Sequence, residues 1–393
     1  MMVRASACAL FSFASAVVSA QTPPPAIAPP AIRSPEVAAD GRVTFRIAAP
    51  NATAVAVGIE GSKPRPLQKE PNGVWTLTTD PLEPDFYGYS FSVDGARVFD
   101  SANAGLVPNL LNPRSLLHVP GDRSLPWELT DVPHGTLHHH VYASKIGGDN
   151  RDLFVYTPPG YDSSSATRYP VLYLLHGFSD DASAWTAVGF ANIILDNLIA
   201  RGTARSMIVV MPLGYGAPEI VRVTPRTEEL TNKNVERFAD MMISEIIPQV
   251  ERSYRVATDR SSRAIAGLSM GGNESLVIGL NHLDRFSAVG AFSSGLREGF
   301  ESRFPHLTSG ANAQLRTLWI ACGTSDGLFD INRRFRDWLT AKQVRFTAVD
   351  TPGAHTWMVW RRNLAAFAPL LFQEQRRSES AGREPSRSRE RVR

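Results

Sequence analysis

Cysteine is scarce in this sequence. Only Cys8 and Cys322 occur among its 393 residues, and Cys8 lies in a segment that we expect to be cleaved off. A lone Cys322 excludes an intramolecular disulfide, so a large apolar core has to hold the folded chain together. Because Cys322 follows an apolar run at residues 318–321, we interpret it as a small buried hydrophobe rather than a reactive thiol.

Long apolar runs are also missing. The main one covers residues 5–18; it follows Arg4 and precedes a small-residue site that ends at Ala20. This is the pattern of a secretory signal peptide, residues 1–20, cleaved after Ala20. The run is too short to span a bilayer, and no other stretch reaches the ~18 apolar residues that a membrane helix needs. We therefore predict a secreted or periplasmic protein with no membrane partner.

Excess charge of one sign is confined to the end of the chain. The net charge is +3, and residues 374–393 carry seven arginines and four glutamates. This segment is poor in hydrophobic residues and predicts a disordered basic tail. Since no aromatic residue interleaves with its arginines, we expect no nucleic-acid partner. Near the other end, the proline-rich residues 21–33 predict an extended linker.

Signatures of metal and cofactor binding are absent from the sequence. His138, His139 and His140 form a run, but neighbouring side chains of a strand point to opposite faces and cannot converge on one ion. The sequence has no phosphate-binding glycine loop and no dinucleotide fingerprint. We therefore expect neither a metal nor a cofactor.

What the sequence does contain begins with a strand-rich segment, residues 34–120. Apolar and polar residues alternate with a period of two over short stretches, which predicts a small immunoglobulin-like β-sandwich. Trp75, Tyr87 and Tyr89 could stack on sugar rings, but the alternation places both tyrosines on one face that suits the core equally well. A role as spacer or pocket wall and a role in glycan binding both stay open.

From residue 135 to residue 373 the pattern changes. Short continuous apolar runs alternate with segments of helical length, which predicts an α/β fold with a doubly wound, mostly parallel sheet. The predicted strands are residues 153–156, 171–175, 207–211, 263–266, 288–292, 318–321 and 344–349. The predicted helices are residues 187–200, 237–254, 270–281, 333–342 and 357–372, with Pro248 kinking or shortening the second.

The strongest chemical signal is the Gly-Leu-Ser-Met-Gly motif at residues 267–271, between a predicted strand and a predicted helix. Small residues around a serine in such a turn allow the close approach that a nucleophile elbow needs. A second match at residues 323–327 centres on Ser325, but too little sheet follows it to carry both an acid and a histidine. We therefore predict Ser269 as the nucleophile of an α/β-hydrolase fold.

Asp326 and His355 complete the chain order of such a fold, in which the acid and then the histidine follow the nucleophile. Each residue comes directly after a predicted strand, at the sheet edge where catalytic groups collect. His355 would take the proton of Ser269, and Asp326 would fix the imidazole tautomer. Asp330, four residues further on, competes with Asp326 for the acid role.

Two backbone amides are predicted to form an oxyanion hole. One is the N–H of Met270 at the start of a helix, and the other is the N–H of Phe178 in the loop that follows a strand. His176, at the start of that loop, is expected to order it rather than to perform chemistry. Trp185 and Trp357 are candidate walls of the acyl pocket.

These motifs resemble those of the esterase D group of α/β-hydrolases. The resemblance also rests on two further stretches, Tyr-Thr-Pro-Pro-Gly-Tyr at 156–161 and Tyr-Pro-Val-Leu-Tyr-Leu-Leu-His-Gly at 169–177. Within this group the motifs are most similar to the feruloyl and acetyl-xylan esterases of the first carbohydrate esterase family. The resemblance implies the same triad. Residues 40–51 are similar to the early-set β-sandwich module related to glycogen-binding domains. One departure is Phe178-Ser179, where relatives often have glycines.

The resemblance implies a secreted serine carboxylesterase that hydrolyses acyl esters, feruloyl in preference to acetyl, on plant cell-wall polysaccharide. Alternatives are an acetyl-xylan esterase, an esterase for a siderophore of the enterobactin type, an acyltransferase resembling the mycolyltransferases, and a non-catalytic carbohydrate-binding protein. The intact Ser, Asp and His argue against the last of these. The oligomeric state stays open.

Overall fold

A computed structural model describes residues 32–373 of the chain. The predicted signal peptide, most of the predicted linker and the predicted basic tail lie outside the described residues. The described chain consists of a strand-rich N-terminal module and a larger α/β domain, which pack against each other.

The N-terminal module contains two antiparallel sheets around one core. Its strands are β1 (Glu36–Val37), β2 (Val43–Ala48), β3 (Val55–Ile59), β4 (Arg65–Pro66), β5 (Gln68–Lys69), β6 (Val74–Thr78), β7 (Asp85–Val93), β8 (Ala96–Val98), β9 (Leu106–Val107) and β10 (Arg114–Val119). One sheet has the order β1-β2-β6-β5 and the other β4-β3-β7-β10-β9, with β8 beside β7. The module is thus a β-sandwich.

The aromatic residues of the module lie inside it. Tyr89 is fully buried and Trp75 and Tyr87 are each 7% exposed, and all three belong to the core between the sheets. The Tyr89 ring packs 4.9 Å from the ring of Phe45. These three side chains therefore form no surface platform for a sugar ring.

The α/β domain is built on one eight-stranded sheet of order β11-β12-β14-β13-β15-β16-β17-β18. Its strands are β11 (Thr136–Ser144), β12 (Asp149–Thr157), β13 (Val171–Leu175), β14 (Ile208–Pro212), β15 (Arg263–Leu268), β16 (Ala288–Phe292), β17 (Thr317–Gly323) and β18 (Thr347–Thr351). From β14 to β18 all neighbours are parallel, whereas β11 and β12 add an antiparallel edge.

Helices cover both faces of this sheet. They are α1 (Ala184–Ala187), α2 (Ala191–Ala200), α3 (Glu228–Met241), α4 (Ile247–Ser253), α5 (Ser269–Asn281), α6 (Phe300–Arg303), α7 (Phe329–Ala341) and α8 (Trp357–Phe367). Alternate residues of the central strands join two separate apolar clusters, one shared with α3, α4, α5 and α7 and the other with α2 and α8. Burial on both faces is the reason that these strands read as continuous apolar runs. Cys322 is fully buried in β17, and burial raises the pKa of its thiol to about 12.

The helix predicted at residues 237–254 is longer than the sequence pattern indicated. It begins at Glu228, because the hydroxyl of Thr227 accepts a hydrogen bond from the N–H of Leu230 and caps the first turn. A π-helical segment, Met242–Ile246, joins α3 to α4. Pro248, which lacks an N–H, stands directly after this segment in the first turn of α4, and a local π-helical turn is one way in which a helix accommodates the missing donor.

The module docks onto α8 through a buried ion pair. The Arg361 guanidinium on α8 and the Asp85 carboxylate on β7 are both fully buried, with 2.8 Å between Nη2 and Oδ1. Trp127 donates its indole N–H to the same carboxylate at 3.0 Å. Since a buried charge is tolerated only with partners of this kind, the contact fixes how the module sits on the α/β domain.

Candidate active site

Ser269 occupies a sharp turn between β15 and α5. Its backbone has φ 52°, a left-handed conformation that is uncommon for residues other than glycine. The flanking glycines make room for the turn: a Cβ on Gly271 would lie 2.5 Å from the carbonyl oxygen of His176, and a Cβ on Gly267 would lie 2.5 Å from the carbonyl oxygen of Gly271. The turn therefore lifts the serine hydroxyl to the carboxyl edge of the sheet.

The structure brings His355 and Asp326 to the same edge. His355 follows β18 and Asp326 follows β17. The Nε2 atom of His355 lies 3.0 Å from the Ser269 hydroxyl, and its Nδ1 atom lies 2.8 Å from Oδ2 of Asp326. The three side chains thus form one continuous hydrogen-bonded chain.

Asp326 is suited to remain ionised in this arrangement. Burial raises the pKa of its carboxyl, but the hydrogen bond and charge of His355 and the N–H of Leu328 outweigh burial, so the net pKa lies below its usual value. An ionised Asp326 accepts the Nδ1–H of His355 and leaves Nε2 able to take a proton from the serine.

The two competing residues lie elsewhere. Asp330 is on the first turn of α7, with its side chain 69% exposed and paired with Arg333. Ser325 is exposed, and its N–H donates to the carbonyl of Gly353. Neither side chain takes part in the hydrogen-bonded chain around His355.

The loop after β13 carries the predicted oxyanion donor. His176 is fully buried at its start: Nδ1 donates to the Gly177 carbonyl at 2.8 Å and Nε2 accepts from the N–H of Gly214 at 2.9 Å. Burial lowers the pKa of this imidazole, so it is neutral and serves to order the loop. Phe178 lines the cleft at Ser269, while the N–H of Met270, in the first turn of α5, lacks an intrahelical acceptor.

A cleft of about 190 Å³ opens above Ser269 and His355. Trp357 lines it, as expected, and Trp360 stands beside it with its ring 4.9 Å from that of His355. Trp185 does not line the cleft and the expectation for it is wrong. Its indole is 1% exposed and donates to the Leu175 carbonyl at 2.9 Å, so it belongs to the core beneath the loop.

A larger cavity, about 770 Å³, lies at the amino ends of β16, β17 and β18. It contacts none of the three residues of the hydrogen-bonded chain. Groups at the opposite edge of the sheet cannot reach the Ser269 hydroxyl, so we place the site in the smaller cleft.

Sequence reasoning missed part of the cleft. The N-terminal module contributes three residues to the lining of the cleft, namely Glu60, Asn109 and Arg114, and the α/β domain contributes the others. No motif surrounds them in the sequence, and no local pattern could have identified them. Trp360 was missed as well, although it is one helical turn from Trp357 and shares its face.

The histidine run forms no metal site. On β11, His139 stacks on Phe154 at 4.4 Å, while His138 and His140 lie near each other and contact Tyr254. Within residues 32–373 no cluster of three or more His, Cys, Asp or Glu side chains is arranged to hold a metal ion. In the same part of the chain, no helix has the length and apolarity needed to cross a membrane.

The strand order, the strand–helix turn at Ser269 and the placement of Asp326 and His355 define an enzyme of the α/β-hydrolase class. Comparison with known families then gives the particular group. A family model named Esterase, described as "Putative esterase", matches residues 144–371. The chain belongs to this family of carboxylic ester hydrolases.

Individual relatives agree with the family. An endo-1,4-beta-xylanase/feruloyl esterase of Xylanibacter ruminicola is 31% identical over 346 residues, which are 86% of this chain and 46% of that protein. An esterase of Mycobacterium tuberculosis is 30% identical over 42% of this chain and 34% of its own length. The chain spans about half the length, or less, of these relatives.

Solved structures match the fold. A ferulic acid esterase from the anaerobic fungus Anaeromyces mucronatus has a TM-score of 0.54 and 27% identity, covering 62% of this chain and 93% of its own. An enterobactin esterase from Shigella flexneri has a TM-score of 0.63 and 18% identity, covering 84% of this chain and 92% of its own. The second match extends into the N-terminal module, and at this identity it shows the fold alone.

Proposed function

We propose that this protein is a secreted serine carboxylesterase that releases acyl groups, feruloyl in preference to acetyl, from plant cell-wall polysaccharide. The observation that carries the proposal is the hydrogen-bonded chain Ser269–His355–Asp326 at the floor of an open cleft. The xylanase/feruloyl esterase relative, which aligns with 86% of this chain, supports the choice of substrate class.

The geometry supports a two-step reaction. In the first step Ser269 Oγ attacks the ester carbonyl carbon while Nε2 of His355 takes the hydroxyl proton. The carbonyl oxygen becomes an oxyanion that accepts hydrogen bonds from the N–H groups of Phe178 and Met270. The C–O bond to the sugar then breaks, and His355 returns the proton to the leaving alkoxide.

The second step repeats this chemistry with water. His355 takes a proton from a water molecule, whose oxygen attacks the acyl carbon bound to Ser269. Collapse of this second oxyanion breaks the acyl–Oγ bond and gives the acid and free enzyme. Asp326 keeps its negative charge in both steps and stabilises the imidazolium each time.

Two tryptophans support an aromatic acyl group. Trp357 and Trp360 line the cleft on the side of His355, and aromatic side chains flank planar ring systems favourably. Trp357 is 2% exposed and Trp360 is 6% exposed, so the aromatic surface that they present to an acyl group is small.

A substrate panel tests the acyl and alcohol specificity. We expect higher kcat/KM on methyl ferulate and feruloylated arabino-oligosaccharides than on acetylated xylan. Preference for acetylated xylan would make the protein an acetyl-xylan esterase. Cleavage of a catecholate trilactone in preference to the ferulates would replace the proposed substrate by a siderophore, and transfer products in excess of hydrolysis would make it an acyltransferase.

A matched pair of serine variants tests the mechanism. Ser269→Ala is expected to lower kcat by about 10⁶-fold, as loss of a nucleophile does, without changing the thermal midpoint. Ser325→Ala, the serine of the second motif, should leave kcat unchanged. Retained activity in Ser269→Ala, or its loss in Ser325→Ala, would exclude the assignment.

Secretion is proposed from residues 1–20, which lie outside the described structure. Expression of the full chain should give a mature protein that begins at Gln21. N-terminal sequencing of the exported protein checks this, and a cytosolic product with an intact N-terminus would contradict it.

A further inference from the structure

The N-terminal module reaches the two loops on which the proposed reaction depends. One is the oxyanion loop, residues 176–181, and the other is the turn that carries His355 into α8. The contacts come from Asn109 and from Glu60, and both residues line the cleft.

Asn109 holds the oxyanion loop. Its Nδ2 donates to the Ser179 hydroxyl at 3.0 Å and to Oδ1 of Asp180 at 2.9 Å. The N–H of Leu110 donates to the Ser179 carbonyl at 2.7 Å. The module therefore contributes three hydrogen bonds to the two residues that directly follow Phe178.

The backbone of the loop makes this support necessary. Ser179 has φ 68°, a conformation that costs a residue other than glycine of order 1 kcal/mol or more and persists only where its surroundings hold it. Because the N–H of Phe178 precedes this residue, a loop that relaxed at Ser179 would move the oxyanion donor.

Glu60 holds the second loop. Its Oε1 accepts from the N–H of Trp357 at 2.9 Å and its Oε2 accepts from the N–H of Gly88, within the module, at 3.0 Å. Trp357 is the first residue of α8, and the side chain of Thr356, at the capping position, makes no capping bond. A carboxylate from the module thus caps the helix that begins two residues after His355.

We propose that the β-sandwich completes the active site, with Asn109 and Glu60 as positioning residues for the oxyanion loop and for the catalytic histidine. This inference rests on the proposed serine-esterase function. It assigns the module a part in catalysis on any ester, including small soluble ones that offer no polysaccharide to bind.

The chain offers a matched control for Asn109. Asn103, also in the module, uses Nδ2 to donate to the Tyr89 hydroxyl at 3.0 Å and to the Leu116 carbonyl at 2.7 Å, and its Oδ1 accepts from the N–H of Gly105. Asn109 likewise accepts at Oδ1 from nearby N–H groups, those of Leu111 and Asn112. The two asparagines differ in that only Asn109 reaches the oxyanion loop.

The test compares Asn109→Ser with Asn103→Ser in the full chain. At position 109, serine keeps an oxygen that can accept from the nearby N–H groups of Leu111 and Asn112. Its side chain is too short to reach the oxyanion loop, and it adds no charge. On methyl ferulate or a nitrophenyl ester we expect Asn109→Ser to lower kcat by about 10- to 100-fold, because a misplaced catalytic group costs that much. KM should stay within about threefold, since the ground state uses the oxyanion donors little.

Affinity for an arylboronic acid gives a second readout. Its tetrahedral adduct on Ser269 needs the oxyanion donors, so the inhibition constant should rise in parallel with the loss of kcat. In Asn103→Ser both kcat and this constant should match the wild type, whatever the fall in thermal midpoint. A purely structural role for Asn109 would lower the thermal midpoint alone.

Glu60→Gln tests the contact between Glu60 and the N–H of Trp357. It also keeps the proposal testable if Asn109→Ser does not fold. It keeps one acceptor oxygen and removes the charge at the α8 N-terminus, so we expect kcat to fall by about 2- to 10-fold. Wild-type kcat and boronate affinity in the folded variants would overturn the inference. If instead wild type and Ser269→Ala were equally inactive on every ester, the proposed function would fail.

Discussion

The assignment of Asp326 as the acid leads to a sharp prediction. Replacing Asp326 by Asn keeps the size of the side chain but removes the negative charge that faces Nδ1 of His355 at 2.8 Å. An amide turned with its NH₂ towards the ring would favour the tautomer in which Nε2 carries the proton. In that tautomer His355 cannot accept the proton of Ser269.

The structure sets the size of the effect. The Asp326 side chain is fully buried and that of His355 is 36% exposed, so water cannot replace the carboxylate on the Nδ1 side. An equivalent substitution in a buried triad lowers kcat by about 10⁴-fold, or about 5 kcal/mol of transition-state stabilisation. The fold should survive, because Asn still accepts the hydrogen bond that the N–H of Leu328 donates to Oδ1 at 2.8 Å.

Asp330→Asn is the matched control. It makes the same chemical change four residues away, on an exposed carboxylate paired with Arg333. Surface pairs of this kind contribute about 0–1 kcal/mol to stability, and we expect kcat to stay at the wild-type value.

The assay is steady-state hydrolysis of methyl ferulate by both variants, with circular dichroism to verify folding. The reasoning would be refuted if Asp326→Asn kept more than about a tenth of the wild-type kcat. It would be refuted equally if Asp330→Asn lost as much activity as Asp326→Asn.

Three further predictions concern stability and pH. Gly271→Ala should lower the free energy of unfolding by about 1–3 kcal/mol and remove most of the activity, because its Cβ would meet backbone at 2.5 Å. Gly327→Ala, with open space around it, should change neither stability nor activity. Equal losses of stability in urea unfolding of the two variants would contradict this prediction. Arg361→Met should lower the free energy of unfolding by about 1–3 kcal/mol, because Asp85 loses its buried partner and keeps only the partly exposed Arg362 at 3.3 Å. A loss below about 1 kcal/mol would show that Arg362 alone compensates the Asp85 carboxylate. Burial raises the pKa of Asp180 to about 7, above its unfolded value of about 3.9, so its protonated form stabilises the fold at low pH and this stability is lost as pH rises through about 7. Asp180→Asn should therefore flatten the fall of the thermal midpoint between pH 5 and pH 8, a difference of up to about 3 kcal/mol in this window. Identical pH profiles would contradict the burial argument.

The sequence by itself determined the parts of the site that follow from local pattern and chain order. A serine between two glycines, with a buried strand before it and a helix after it, admits few backbone conformations. The residues that follow later strands of a parallel sheet necessarily reach the same edge. The structure accordingly places His355 within hydrogen-bonding distance of both Ser269 and Asp326.

Only the tertiary structure decided which side chains surround the hydrogen-bonded residues Ser269, His355 and Asp326. Hydrophobic periodicity tells which face of a strand or helix is buried but not what it is buried against. Trp185 and Trp357 are both buried in the same apolar cluster, at 1% and 2% exposure, yet of the two only Trp357 also borders the cleft. Glu60 meets the N–H of Trp357 across 297 residues of chain. Such a contact arises from the docking of two separately patterned units, and neither unit's sequence encodes it locally.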